Sequence, residues 1–281
     1  MKTKKIVSAL TNPQYGLINN LAIAYASEPE RVIYDHDYRE MILHPEHDFF
    51  LDSFEAVKTS ADIKLVKDMD YFVEQWLGGL SEPSKMPWYS WSTPAQLCNV
   101  GSRLRLVENS TCSGCYAMGK NYNRPNVKIA LLRRWLMYKL SPTIWYKAFQ
   151  SFFQFHSFRS KETLYFRWFD SGDLIDYRQF QAICLIAHAA PKVKFWLPSR
   201  ELSIINQAGK HDIPDNLIVR YSTHMVDALS KRQNSTMVFS SLNILPDNCQ
   251  ACPATTTDDH TCAGNNCRSC WTPGHIGYKI H

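Results

Sequence analysis

The chain has 281 residues, 45% hydrophobic and 13% aromatic, enough for one large domain or for a domain with a small extension. No run of eighteen apolar residues occurs, so no membrane-spanning helix is expected. The net charge of +5 is mixed along the chain, which permits nucleic-acid contact without demanding it.

The basic start, Met1 to Lys5, precedes an apolar stretch broken by Thr11-Asn12-Pro13-Gln14 and by Asn19-Asn20. A secretory signal is therefore not expected, and the chain is read as cytoplasmic. Residues 1–84 form an N-terminal extension or cap without a catalytic motif. Asp35-His36-Asp37 and His44-Pro45-Glu46-His47-Asp48 carry metal-binding residue types at no familiar spacing, and surface loops are the plainer reading. Ile63, Val66, Met69, Phe72, Val73 and Trp76 recur at helical spacing, predicting a helix over 62–78 that ends at Gly78-Gly79.

Pro83 and Pro87 mark a boundary, and the aromatic run 88–91 reads as a short strand. Two helices are expected over 127–140 and 144–158, separated by Pro142. Lys128, Arg133, Arg134 and Lys139 on the first are read mainly as a solvated face. From residue 164 the pattern turns regular. Strands at 164–169, 193–197, 217–221 and 237–239 alternate with helices at 177–190 and up to about 208. That alternation predicts an α/β fold with parallel strands, a partial or complete (βα) barrel over residues 85–245. A Cys-rich metal-binding segment over 246–281 follows it, closing in a last strand near the C-terminus.

Function in such arrays gathers at the carboxyl ends of the strands. Each strand here ends in small or charged residues: Asp170-Ser171-Gly172-Asp173, Ser199-Arg200, Ser222-Thr223-His224 and Ser240-Ser241. Asp170, Asp173, Arg200 and His224 are the catalytic candidates. Ser171, Gly172, Ser199, Ser222 and Tyr116 are the candidates for binding a cofactor. Arg200 suits a carboxylate or phosphate through its forked donors.

Eight of the nine cysteines fall in two windows. Cys184 stands apart on the apolar face of the 177–190 helix and reads as core. Reduced thiols so clustered read as metal ligands. Cys98, Cys112 and Cys115 supply one ligand too few for a closed structural zinc site. On a [4Fe–4S] cluster they leave one iron open, as catalysis requires. Alternatively Cys98 is unrelated, and Cys112 and Cys115 complete a site shared with the C-terminal group. That group, Cys249, Cys252, Cys262, Cys267 and Cys270, is expected to hold a second iron–sulfur cluster or zinc.

The stretches Pro94-Ala95-Gln96-Leu97-Cys98-Asn99-Val100-Gly101-Ser102, Cys112-Ser113-Gly114-Cys115-Tyr116-Ala117 and Gly119-Lys120-Asn121-Tyr122 resemble the phage and prophage family called gene product eighty-eight. Pro125-Asn126-Val127, Ala130-Leu131, Arg133-Arg134, Cys252-Pro253-Ala254 and Cys267-Arg268-Ser269-Cys270-Trp271 continue the resemblance, over roughly residues 85–281. It centres the second metal site on Cys252, Cys262, Cys267 and Cys270 and makes Cys249 optional. It also places the protein in the host cytoplasm if phage-encoded. The family is distantly similar to radical S-adenosylmethionine enzymes, which implies S-adenosylmethionine as a co-substrate and a reductant as a partner. Here, however, the first cysteine gap is thirteen residues where the usual radical motif has three, and Ser171-Gly172-Asp173 stands where a Gly-Gly-Glu is usual.

Three expectations follow. The first is an iron–sulfur enzyme, of radical type, acting on a small-molecule or nucleotide substrate. The second keeps the cluster but uses the open iron as a Lewis acid for sulfur transfer, desulfidation or lyase chemistry. The third is a zinc-stabilised nucleic-acid-binding protein that stacks aromatics on bases.

Overall fold

The computed structural model describes residues 10–12, 14–35, 63–209 and 212–280. His36, Asp37 and residues 44–48 of the two Asp/His stretches lie outside them.

Two helices open the described chain, α1 (Tyr15–Tyr25) and α2 (Val66–Leu77). Met69, Phe72, Val73, Trp76 and Leu77 form the buried stripe of α2, as their spacing requires. Gly78 then turns left-handed at φ 72°, and the Gly79 N–H closes onto the Val73 carbonyl at 3.2 Å. The freed carbonyls of this helix end are taken by α4 (Pro125–Leu140): Arg134 Nε donates to Gly79 O at 3.0 Å and Arg133 Nε to Gly78 O at 3.3 Å. Arg133 also pairs with Glu74 at 2.6 Å, and Arg134 is buried. These two arginines are therefore not a solvated face. A helix end buried by a neighbour needs donors, and only long cationic side chains on α4 reach it.

The strands are β1 (Ser90–Trp91), β2 (Leu164–Trp168), β3 (Val193–Ser199), β4 (Leu217–Ser222), β5 (Ser235–Phe239), β6 (Cys249–Ala251) and β7 (His275–Lys279). They form one all-parallel sheet in the order β1-β2-β3-β4-β5-β7-β6. The sheet is open, not a closed barrel. Its edges, β1 and β6, are two and three residues long, too short to pair and close the ring. The expected helix after β3 shortens to one turn, α7 (Leu202–Ile205).

Residue alternation gives the sheet two faces. Phe166, Trp168, Val193, Phe195, Leu197, Leu217 and Val219 join the main core with α2, α4, α5 (Pro142–Arg159) and α6 (Tyr177–Ala189). Phe153 meets Phe195 and Phe149 meets Trp168 edge-on, at 4.9 and 4.8 Å. Cys184 is buried there, as core. The opposite face offers Tyr165, Trp196, Ile276 and Tyr278, and the Cys-rich segment lies on them through Cys270 and Trp271. Trp271 Nε1 donates to Phe166 O of β2 at 2.8 Å, so this segment is fixed to the sheet itself. Both faces of the parallel sheet are thus covered.

Candidate metal centre

Beyond β1 the chain makes one 3-10 turn (Ala95–Leu97) and reaches Cys98, the N-cap of the short helix α3 (Asn99–Leu104). Glu201, wholly buried at the end of β3, accepts from the Val100 N–H at 2.7 Å and from Asn99 Nδ2 at 3.3 Å. A carboxylate satisfies the free N–H of the first turn and fixes Cys98 relative to β3. The chain then crosses to β4. Ser110 bridges antiparallel to Met225, Thr111 N–H donates to His224 O at 2.8 Å, and Val226 N–H donates to Asn109 O at 3.0 Å. This docking carries Cys112 and Cys115 back over the strand ends, so the thirteen-residue gap is a loop out and back.

The sulfurs of Cys98 and Cys112 lie 3.6 and 3.7 Å from the point where a methyl on Gly101 would stand. Both sulfurs thus pack against Gly101, where a Cβ would also stand only 3.0 Å from Cys98 Cβ. Cys115 is near enough that its charge is felt at both other thiols. Burial pushes the Cys98 thiol well above its ordinary range, with Asp173 and the other two thiolates adding to the rise. Burial also raises Cys112, against the opposing pull of Arg200. Desolvated thiolates held this close repel one another unless a shared cation neutralises them. Among the described residues no three His, Cys, Asp or Glu side chains are grouped to hold a metal ion.

The polar strand ends surround this group unevenly. Asp173 is buried and accepts three hydrogen bonds, from Ser199 Oγ at 2.6 Å and from the N–H groups of Leu174 and Arg200 at 2.8 and 2.9 Å. Burial outweighs those bonds and raises its carboxyl to about 6. Arg200 Nε donates to Thr111 Oγ1 at 3.0 Å and to Thr223 O at 3.3 Å, clamping the cysteine loop to β4. Asp170 accepts from Ser90 Oγ at 2.9 Å and Tyr122 OH at 2.8 Å, and its carbonyl accepts from Tyr116 OH. Ser171 Oγ donates to Thr93 O at 2.9 Å. Gly172, at φ 78°, brings its backbone so close to Thr93 that a Cβ would stand 2.0 Å from Thr93 Oγ1. Phe169 is also left-handed, at φ 54°, an unusual conformation for a bulky residue at the end of β2. Ser222 bonds Thr236 of β5 at 3.2 Å, and His224 Nε2 is buried without a partner. Asp173, Ser199, Arg200 and Tyr116 thus stand beside the thiols. Ser171 and Gly172 pack on β1, and Ser222 on β5.

The C-terminal thiols gather separately. Cys252, Cys262, Cys267 and Cys270 line one small hollow, walled by Pro253 and Trp271. Cys252 N–H donates to Gly277 O at 2.7 Å and Cys262 N–H to Lys85 O at 2.8 Å, anchoring the loop to β7 and to the segment before β1. Burial raises Cys252, Cys262 and Cys270, and neighbouring thiolates add to each rise. Cys249 lies outside the hollow, packed with Met237 and Phe239. Sequence reasoning missed Gly101, Thr111, Glu201, Arg167 and Arg220 as site residues. The two strand arginines carried a signal, a charge inside an otherwise apolar strand. Arg167 stacks over Trp196 at 4.3 Å, and its charge is felt at both Cys262 and Tyr116.

The sequence model of the Gene product 88 family matches residues 61–274, well over half of the chain. No curated protein and no solved structure is significantly similar to it. The chain belongs to the Gene product 88 family.

Proposed function

We propose that this member of the Gene product 88 family is an iron–sulfur enzyme whose [4Fe–4S] cluster is held by Cys98, Cys112 and Cys115. The observation that carries the reading is the convergence of the three thiols: the Cys98 and Cys112 sulfurs lie within 3.7 Å of one point beside Gly101, the Cys115 charge is felt at both, and later strand ends hold the loop in place. Each other cysteine is placed elsewhere, so a fourth cluster position has no protein thiol. A cluster so held supplies an open iron, able to bind a co-substrate and to act there as a Lewis acid or one-electron donor. Arg200 keeps its terminal guanidinium nitrogens for an anionic group of the substrate, while its Nε holds the cysteine loop. Asp173 positions Ser199 and the Arg200 backbone. Tyr116 and Tyr122, ring centroids 5.7 Å apart, close the side towards Asp170.

In one form of the reading the open iron takes S-adenosylmethionine, as the motif's distant similarity implies. In the other it serves sulfur transfer, desulfidation or lyase chemistry. The nucleic-acid reading loses Arg133 and Arg134 to the end of α2. The test is anaerobic reconstitution followed by incubation with S-adenosylmethionine and a strong reductant. Absence of 5′-deoxyadenosine from a fully loaded sample sinks the radical form. Stoichiometric zinc without iron or labile sulfide sinks both forms.

A further inference from the structure

We propose that Cys252, Cys262, Cys267 and Cys270 form a closed site for a second iron–sulfur cluster, whose negative charge is balanced by the buried guanidinium of Arg220. This site is independent of the three-cysteine site above.

Arg220 sits on β4 with no exposed surface. Its Nε donates to Cys270 O at 3.1 Å and Nη1 to Gly274 O at 2.6 Å. Nη2 donates to Ser269 O and Thr272 O, both at 2.6 Å. All four acceptors are neutral carbonyls of the turn that carries Cys270. The turn is wrapped around the cation.

No carboxylate among the described residues is paired with that charge. The ion pairs among the described residues are Arg31–Glu28, Arg133–Glu74 and Lys139–Asp176. A buried cation with no counter-charge costs several kcal/mol even after relaxation. The nearby groups able to become anionic are Tyr278, Cys270 and Cys249. Tyr278 OH lies 3.3 Å from Cys270 Sγ. Metal binding deprotonates thiols, so a metal–thiolate centre in the hollow supplies the missing negative charge.

A single zinc ion on the same four thiolates is the competing occupant, which metal analysis distinguishes. Zinc, bonded at about 2.3 Å to each thiolate, draws its ligands onto one point. The four thiols here line one hollow. The nine cysteines are all free, so no disulfide competes for these sulfurs. With four protein ligands the centre has no open position, which assigns it to electron storage or structural support, not to substrate binding.

The experiment uses the full chain, purified and reconstituted anaerobically. Cys252→Ser/Cys267→Ser is expected to lose half of the iron and labile sulfide. Cys98→Ser/Cys112→Ser/Cys115→Ser is expected to keep the other half, which separates this site from the first. In the triple variant, Arg220→Gln should release iron to a chelator about tenfold faster, as for other outer partners of metal ligands. It should also move the cluster's reduction potential to more negative values. Arg220→Lys should restore the potential. Unchanged iron in the C-terminal double variant overturns the site, and zinc lost in place of iron overturns the cluster. An Arg220→Gln protein that melts earlier yet keeps its potential and release rate reduces Arg220 to a loop clip and overturns its charge role.

Discussion

Replacing Gly101 by alanine separates a cluster site from a merely well-packed set of thiols. The added Cβ would lie 3.0 Å from Cys98 Cβ, 3.6 Å from Cys98 Sγ and 3.7 Å from Cys112 Sγ. In metal-free protein two effects oppose. Gly→Ala within a helix gains about 0.5–1 kcal/mol, and easing the 3.0 Å contact costs about 1–3 kcal/mol. The metal-free variant should therefore lose no more than about 2.5 kcal/mol in urea denaturation. Metal loading should not survive, because the methyl crowds Cys98 and stands within 4 Å of both sulfurs. The expected result is loss of the iron that depends on Cys98, Cys112 and Cys115, measured as iron and labile sulfide per chain. Gly114→Ala is the control, since a Cβ there meets nothing within 4 Å. A Gly101→Ala protein that loads as much iron as the parent, with the same spectrum, would refute the reasoning.

Gly172→Ala should destabilise through two causes, about 1–2 kcal/mol for a side chain in left-handed backbone and about 1–3 kcal/mol for overpacking. Thr93→Ala should rescue only part of this in chemical denaturation, because the Thr93 carbonyl would still lie 2.7 Å from the new Cβ. Asp173 makes stability depend on pH. Its folded value of about 6 exceeds the ordinary aspartate value of 3.8, so its contribution is whole below pH 4 and is lost as pH rises to 6. The stability of Asp173→Asn relative to the parent should accordingly rise by up to about 3 kcal/mol from pH 4 to pH 7, and a gap independent of pH contradicts this. His156 works in the opposite sense. Burial lowers it to about 4, so its contribution is present above pH 6.5 and is lost as pH falls towards 4. Its ring packs on Phe152 at 4.6 Å, and His156→Phe should remove about 1–2 kcal/mol of acid sensitivity, the partial exposure discounted.

Much of the fold was legible because its elements are local. The stripe on α2, its Gly78 end and the alternation of β2, α6 and β3 are all written in short windows. What escaped depends on distant partners. β6 is three residues of a Cys-rich stretch, and β7 returns between β5 and β6, an order that no local pattern announces. Arg133 and Arg134 look solvated until the end of α2 is placed against them. The thiols themselves were legible by spacing, and Cys249 was separable through the family resemblance. Their convergence across thirteen residues was not, since it rests on the Ser110–Met225 bridge and on Glu201. Arg220 reads as one charge in an apolar strand, and only the wrapped turn gives it a role.

The central claim is that Cys98, Cys112 and Cys115 hold a cluster with one open iron. The most direct measurement is the spin-resonance spectrum of the reduced Cys252→Ser/Cys267→Ser protein, which isolates that cluster, before and after adding a small ligand for the open iron. A [4Fe–4S] signal that shifts on ligand addition and vanishes when Cys98→Ser is added is the predicted result. A signal that survives Cys98→Ser, or the absence of any cluster signal, would contradict the account.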